Sequence, residues 1–480
     1  LVRFNNSANY TSGSGVSVII NPTGVFDLNN QFILELSNPG GSFTSPTVLN
    51  TLDEFYVPAI NGTLPNGLAA GTYKLRVRAT NPVLNVETNS FTVVSGSGIG
   101  IPKFISTITN LGSSTFNCLS PSITQQNNIN CNNISSNNIF GKLDVAAGNI
   151  TSVLNNNERR LILCDVDATA NYTINLINIS NQTSTQLPLN LSTNQFFIPN
   201  DLAIGTYVIE VEKLISNTIS VQSNIFLFHG NATNLNNLTA ETVCIGNEVY
   251  FSIDITNGGI GRNYMGSKYT IDFGDSTPVE TYTHSQILNI FNNGNNISHI
   301  FDNVSCSVGS GNLIGYFYVR LKLFNKGIFN SGNNNNYCDE YYENGNGAQK
   351  EVNTNRAPIA DFDLPNKQCV STVITAQNTT ILGQYGTTAC LSIPEYYWYI
   401  KRPTDTDFIA IDNFFNPSWL VGDDLVIPAA FVNIPGCWQI KLEAQNAGAG
   451  CTTTTEMIKT IKIEAVPTPS FTNTPQSPIC

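Results

Sequence analysis

"IPNDLAIGTYVIEV", Ile198 to Val211, repeats "LPNGLAAGTYKLRV", Leu64 to Val77, with 134 residues between the shared glycines Gly71 and Gly205. Two looser copies follow, "GYFYVRLKLFN" from Gly315 and "GCWQIKLEAQN" from Gly436, a further 110 and 121 residues along. In each copy a glycine is followed two residues later by an aromatic, then by apolar residues at every second position. These are Tyr73, Leu75 and Val77; Tyr207, Ile209 and Val211; Phe317, Val319 and Leu321; and Trp438, Ile440 and Leu442. Between them stand mostly polar residues, among them Lys74, Arg76, Glu210, Glu212, Arg320, Lys322, Lys441 and Glu443. A period of two with one apolar face describes a strand lying on a core with its back to water. Asn81, Asn325 and Asn446 each stand ten residues after their glycine, where such a strand should end in a turn.

Units of 110 to 134 residues, each with a late strand led by an aromatic, point to an all-β chain of tandem immunoglobulin-like β-sandwiches laid end to end. Glycine- and proline-marked joints divide it into residues 1–97, 98–229, 230–355 and 356–465, hereafter units one to four. Residues 466–480 are expected to open a further repeat, because "PTPSFTNTPQSPIC" (Pro467–Cys480) has the shape of "APIADFDLPNKQC" (Ala357–Cys369).

Composition agrees with that reading. Of 480 residues only 12% are charged, while 10% are aromatic, too many for a disordered polar chain. The net charge of −12 and the lack of Lys/Arg clusters argue against a nucleic-acid partner. No apolar run approaches the ~18–20 residues that cross a bilayer, so membrane insertion is not expected. Eleven dispersed cysteines suit disulfides in an oxidising, extracellular setting better than zinc sites.

If units three and four share a frame, the cysteine opening each should meet one that follows its late strand. That pairs Cys244 with Cys338 and Cys369 with Cys451, each bond restricting the unfolded chain by roughly 4–5 kcal/mol. Cys390 and Cys437 flank the strands around Trp398 and Trp438, and their position resembles the inter-sheet bridge of immunoglobulin domains. Cys118, Cys131, Cys164 and Cys306 allow three connectivities, and Cys480 has no assigned partner.

"YTIDFGDSTPVETYTH" (Tyr269–His284) contains the Asp-Phe-Gly of phosphoryl-transfer enzymes, but the Gly-rich phosphate loop, strand lysine and catalytic loop that should accompany it are missing. The stretch precedes its glycine-led strand by about the distance at which "YYWYIKRP" precedes the next one, so both fill one structural slot. Ile271 and Phe273 should then face a core while Gly274, Asp275 and Ser276 turn the chain. "IDFGDSTP", followed by "SHIFDN" (Ser298–Asn303) and the strand from Gly315 to Asn325, resembles the PKD domain. Phe273, Gly274, Asp275, His299, Gly315 and Asn325 match its pattern, whereas Ile271, Ser276 and Phe301 depart from it. Unit four keeps Trp398 without the turn and is PKD-like. Units one and two resemble the sandwich repeats of large Bacteroidota surface proteins, including gliding-motility adhesins of the SprB type carried by the type 9 secretion system.

That resemblance implies a secreted, non-enzymatic cell-surface adhesin or stalk segment, with surface glycans or another extracellular substratum, the secretion machinery and the motility apparatus as partners. The alternatives are a carbohydrate-binding or accessory region of a secreted enzyme, and a surface-layer or filament protomer. "DST" at Asp275–Thr277 looks like the O-glycosylation acceptor of the same group, with Ser276 as the acceptor. No catalytic residues and no cofactor are assigned. Nucleophilic hydrolysis lacks a G-x-S-x-G elbow, and His229, His284 and His299 lie in different surroundings. Calcium is the one metal with candidate carboxylates, at Asp272 and Asp275, at Val421–Leu425 or at Cys338–Glu343, though none forms a DxDxDG-type loop.

Overall fold

The four glycine-led segments are strands of four separate sheet systems. The computed structural model describes residues 1–106, 139–144, 160–199, 202–203, 205–230, 235–236, 241–255, 260–263, 265–308, 314–326, 337–340, 349–386, 390–411, 419–447 and 451–470. In units two to four the strands Gly205–Ile215, Phe317–Lys326 and Gly436–Asn446 lie between two antiparallel neighbours. One is the unit's last strand (Thr218–Gly230, Gln349–Asn355 and Thr455–Glu464). The other is the strand that precedes (Asn171–Asn178, Lys268–Asp272 and Pro394–Lys401). Unit one breaks its copy at Lys74, so that Gly71–Tyr73 pairs with Phe91–Ser97 while Leu75–Thr80 pairs with Gln31–Leu36.

A second rule recurs in all four units: the last strand takes up an early strand of the unit in parallel. The pairs are Tyr10–Ser12 with Phe91–Ser97, Ile139–Asp144 with Thr218–Gly230, Glu241–Cys244 with Gln349–Asn355, and Lys367–Cys369 with Thr455–Glu464. In units two to four a smaller sheet faces these, such as Phe362–Asp363, Ile374–Asn378, Asp424–Ile427 and Leu420–Val421 in unit four, whereas in unit one the sheet of Thr47–Asp53, Gln31–Leu36, Leu75–Thr80 and Val83–Glu87 is the larger. Two facing sheets with a parallel pair between an early strand and the last make each unit an immunoglobulin-like sandwich. Each layer pair encloses its own core: Trp398, Trp438, Ile440 and Leu442 in unit four, Phe251, Ile271, Phe273 and Phe301 in unit three, and Phe104, Phe196, Tyr207 and Ile209 in unit two. Gly436–Asn446 alternates buried and half-buried residues along its length, as a strand with one wet face should.

Gly205–Ile215 does not alternate, because unit one covers its outer face. Ile177, Ile179 and Val208 pack on Ile19 and Ala59, while Ile219 and Val221 enter the core of unit one. Asn61 exchanges two hydrogen bonds with the backbone of Ser223, and a Cβ on Gly15 would stand 2.8 Å from the carbonyl oxygen of Val221. The tandem order holds, and the first joint is a broad lateral contact. Glu210 and Glu212, expected to face water, are consequently buried.

Unit three carries a helix, His284–Asn292, that alternation did not announce. Its signal is a capping box. Thr283 Oγ1 accepts from the Gln286 amide at 3.2 Å, and the Gln286 side chain accepts from the Thr283 amide at 2.8 Å. Both residues also reach unit one, where Thr283 donates to the Phe26 carbonyl and Gln286 to Asp27.

Candidate functional site

At the end of Lys268–Asp272 the chain turns through Gly274 (φ +74°) and Ser276 (φ +71°). Glycine is required at the first of these. Besides its positive φ, a Cβ there would stand 2.8 Å from the Tyr318 carbonyl oxygen. Asp272 accepts from the Gly274 amide at 2.9 Å, and Asp275 Oδ1 accepts from the Thr277 amide and hydroxyl at 3.1 and 2.5 Å. The other Asp275 oxygen meets His299 Nε2 at 2.7 Å, and the His299 ring stacks on Phe273 with 3.8 Å between centroids. Burial pushes the Asp275 carboxyl up, but hydrogen bonds from His299 and Thr277 more than offset this and hold it below the usual carboxylate range. Phe273, Gly274 and Asp275 therefore form one unit with His299, which fastens the turn to the opposite sheet. Ser276 is exposed at its tip.

Three of the carboxylates expected as calcium ligands, Asp272, Asp275 and Asp424, accept hydrogen bonds within the protein. Asp275 is used on both oxygens, and Asp424 accepts from the Asn378 amide at 2.7 Å. Residues 341–343 of the third candidate lie outside the described residues. Among the described residues no group of three His, Cys, Asp or Glu side chains is placed to hold a metal.

The aromatic that follows each glycine does more than fill the core. Tyr73 donates to the Ala69 carbonyl at 2.9 Å, Tyr207 to the Ala203 carbonyl at 2.8 Å, and Trp438 Nε1 to the Ile434 carbonyl at 2.9 Å. All three reach back four residues, closing the corner before the strand in the manner of the tyrosine corner of immunoglobulin folds. Phe317 has no donor and stacks on Phe301 at 5.3 Å instead. Sequence periodicity found these residues and assigned them only to the core. The hydroxyl and indole nitrogen were the missed signal.

The joints hold the strongest chemistry. Between units one and two, Arg3 bridges Glu210 at 2.5 Å and Glu212 at 2.7 Å. One cation faces two carboxylates there. Burial pushes Glu210 up to about 7, with Arg3 pulling down and Glu212, close enough to share its proton, pushing up.

Between units three and four run two disulfides, Cys244–Cys451 and Cys306–Cys390, with Cα atoms 4.8 and 5.2 Å apart. This corrects all three expected pairings, Cys244–Cys338, Cys369–Cys451 and Cys390–Cys437. The shared frame put bonds within units, whereas Cys244 ends a strand at the far pole of unit three, where the near pole of unit four meets it. Cys369 and Cys437 are exposed and free. Cys164 is also disulfide-bonded, while Cys118, Cys131 and Cys480 lie outside the described residues. Around the two bridges, Asn353 donates to the carbonyls of Gly315 and Gly386, and Asn355 accepts from the Gly386 amide at 2.6 Å.

An apolar recess beside Phe26, Phe32, Val77 and Leu84 measures about 140 Å³, below the ~300–1,000 Å³ of small-molecule sites. No helix among the described residues is long and apolar enough to cross a membrane.

No protein-family model matches the chain, and no curated protein matches it. Solved structures that align with it include immunoglobulin domains 1–5 of Sidekick-1, at 10% identity over 97% of this chain and 78% of that one, with a TM-score of 0.24. The D1–D4 ectodomain fragment of ICAM-5 aligns at 8% identity over 95% and 96%, with a TM-score of 0.31. Three N-terminal domains of the outer capsid protein Hoc of bacteriophage RB49 align at 10% identity over 97% and 98%, with a TM-score of 0.25. Likeness at this level carries no weight, and the fold assignment rests on the strand pairing above.

Proposed function

We propose that the chain is a non-enzymatic, extracellular adhesive or stalk segment that fixes the spacing and direction of a binding region. One observation carries this reading: the buried ion cluster and both described inter-unit disulfides lie at joints between sandwiches, so the costly groups are spent on holding units against one another. Disulfides support an oxidising, extracellular setting. Unit three as a PKD domain, Ser276 as a glycan acceptor, and membership of a gliding-motility adhesin exported by the type 9 system rest on resemblance of sequence. Surface glycans are the partner class that reading implies.

The test removes residues 1–465 from the full-length protein in its own cell, joining the flanks. Attachment to surfaces should fall while secreted hydrolytic activity is unchanged. Unchanged attachment with loss of a hydrolytic activity would transfer the segment to the accessory role of a secreted enzyme.

A further inference from the structure

Unit three ends in a pole that carries two cysteines, and unit four ends in the same pole with its two cysteines unused. The register shows the equivalence. Val352 lies opposite Phe317 and Ile461 opposite Trp438, the aromatics that follow the two glycines. Three residues on, Asn355 faces Cys244 and Glu464 faces Cys369. Cys369 therefore stands in unit four where Cys244 stands in unit three. The second cysteines also share a corner. Cys306 follows Ser305, whose hydroxyl donates at 2.7 Å to the carbonyl of Gly315, and Cys437 directly follows Gly436.

In unit three this pair is bonded to the near pole of the next sandwich. Cys244 takes Cys451, in the hairpin after the glycine-led strand, and Cys306 takes Cys390, just before Pro394–Lys401. In unit four Cys369 and Cys437 are both exposed. They cannot satisfy one another. Their strands flank Thr455–Glu464, with Cys437 opposite Lys462 and Cys369 opposite Glu464. Two strand spacings and a two-residue offset separate the Cα atoms by about 11–12 Å, beyond the ~7 Å a disulfide can span.

We propose that Cys369 and Cys437 are the outgoing half of a second double staple, and that its occupant is a fifth sandwich of the same series. That sandwich presents one cysteine in the hairpin after its glycine-led strand, for Cys369, and one before its preceding inner strand, for Cys437. Each bond forms as two thiols give up two electrons and two protons to a disulfide-carrying oxidant of the export compartment, which leaves as a dithiol. The proposal rests on register and does not need the adhesive reading, so either can fail alone.

The full-length protein, isolated without reductant and alkylated with N-ethylmaleimide before digestion, supplies the test. Cys369 and Cys437 should escape alkylation, and each should appear in a cross-linked peptide whose other half comes from a single later sandwich of the same polypeptide. Alkylation of both, bonding to each other or to a small thiol, or bonding to a different protein would overturn the assignment. A second measurement uses the full-length C369S/C437S variant. Both side chains are exposed, so the fold is kept, and the next sandwich should gain two alkyl groups where the parent gains none. No gain would equally overturn it.

Discussion

Replacing Glu210 by Gln should remove a pH dependence from the contact between units one and two. Glu210 is fully buried, and its carboxyl is pushed up to about 7 from an ordinary 4.5. A carboxyl whose folded value is raised favours the folded state when protonated. Its contribution is therefore fully present above pH 7 as a cost, and the cost fades as pH falls through 7 towards 4.5. At ~1.36 kcal/mol per unit, the shift amounts to about 3 kcal/mol, of which about 2.5 falls between pH 5 and pH 8. Hydrogen exchange of peptides from Gly205–Ile215 reads this locally, whereas a global melt of four units does not. After correction for intrinsic exchange rates, protection should drop roughly 50-fold more in the parent than in E210Q between pH 5 and pH 8. At pH 8 the variant should be the better protected of the two. Equal pH dependence in both proteins would refute the claim that burial beside Glu212 outweighs the pull of Arg3.

Tyr207→Phe keeps the ring and removes the hydroxyl that donates to Ala203, so unit two should lose about 1 kcal/mol in urea titrations. Ser276→Gly should stabilise unit three by about 1 kcal/mol because it relieves a positive φ. Gly274→Ala should cost about 3 kcal/mol or more by thermal melting, since its Cβ would strike the Tyr318 backbone. All three tryptophans, Trp398, Trp419 and Trp438, belong to unit four, so indole fluorescence follows that unit alone. C306S/C390S opens a bridge spanning 84 residues and should lower the fluorescence-detected stability of unit four by about 2–4 kcal/mol.

The spacing of Tyr73, Tyr207, Phe317 and Trp438 made the sandwiches legible, because alternation reports which face meets a core. It could not report what covers the other face. Glu210 looks like any solvated strand residue until Arg3, 207 positions away, is brought against it. The cysteines failed for a related reason. Sequence offers a repeat frame and invites bonds within it, but a disulfide is chosen by distance, and at the unit three–four joint the nearest sulfur belongs to the neighbouring repeat. The helix His284–Asn292 is announced only by Thr283 and Gln286, a capping pair set among segments that read as strands. The turn at Gly274 was readable residue by residue, but its partner His299 comes from another strand.

The Cys244–Cys451 bond ties the end of Glu241–Cys244, an early strand of unit three, to the hairpin that feeds the last strand of unit four. Tension applied at the two ends of the chain would cross from one strand to the other through that sulfur bridge, leaving the 207-residue span between slack and unstretched. At ~3.4 Å per extended residue, about 700 Å of contour is held in reserve. Reduction alone would not release that length, because the separately folded cores of units three and four would then carry the load; the intact bridge withholds it even at tensions to which those folds would yield.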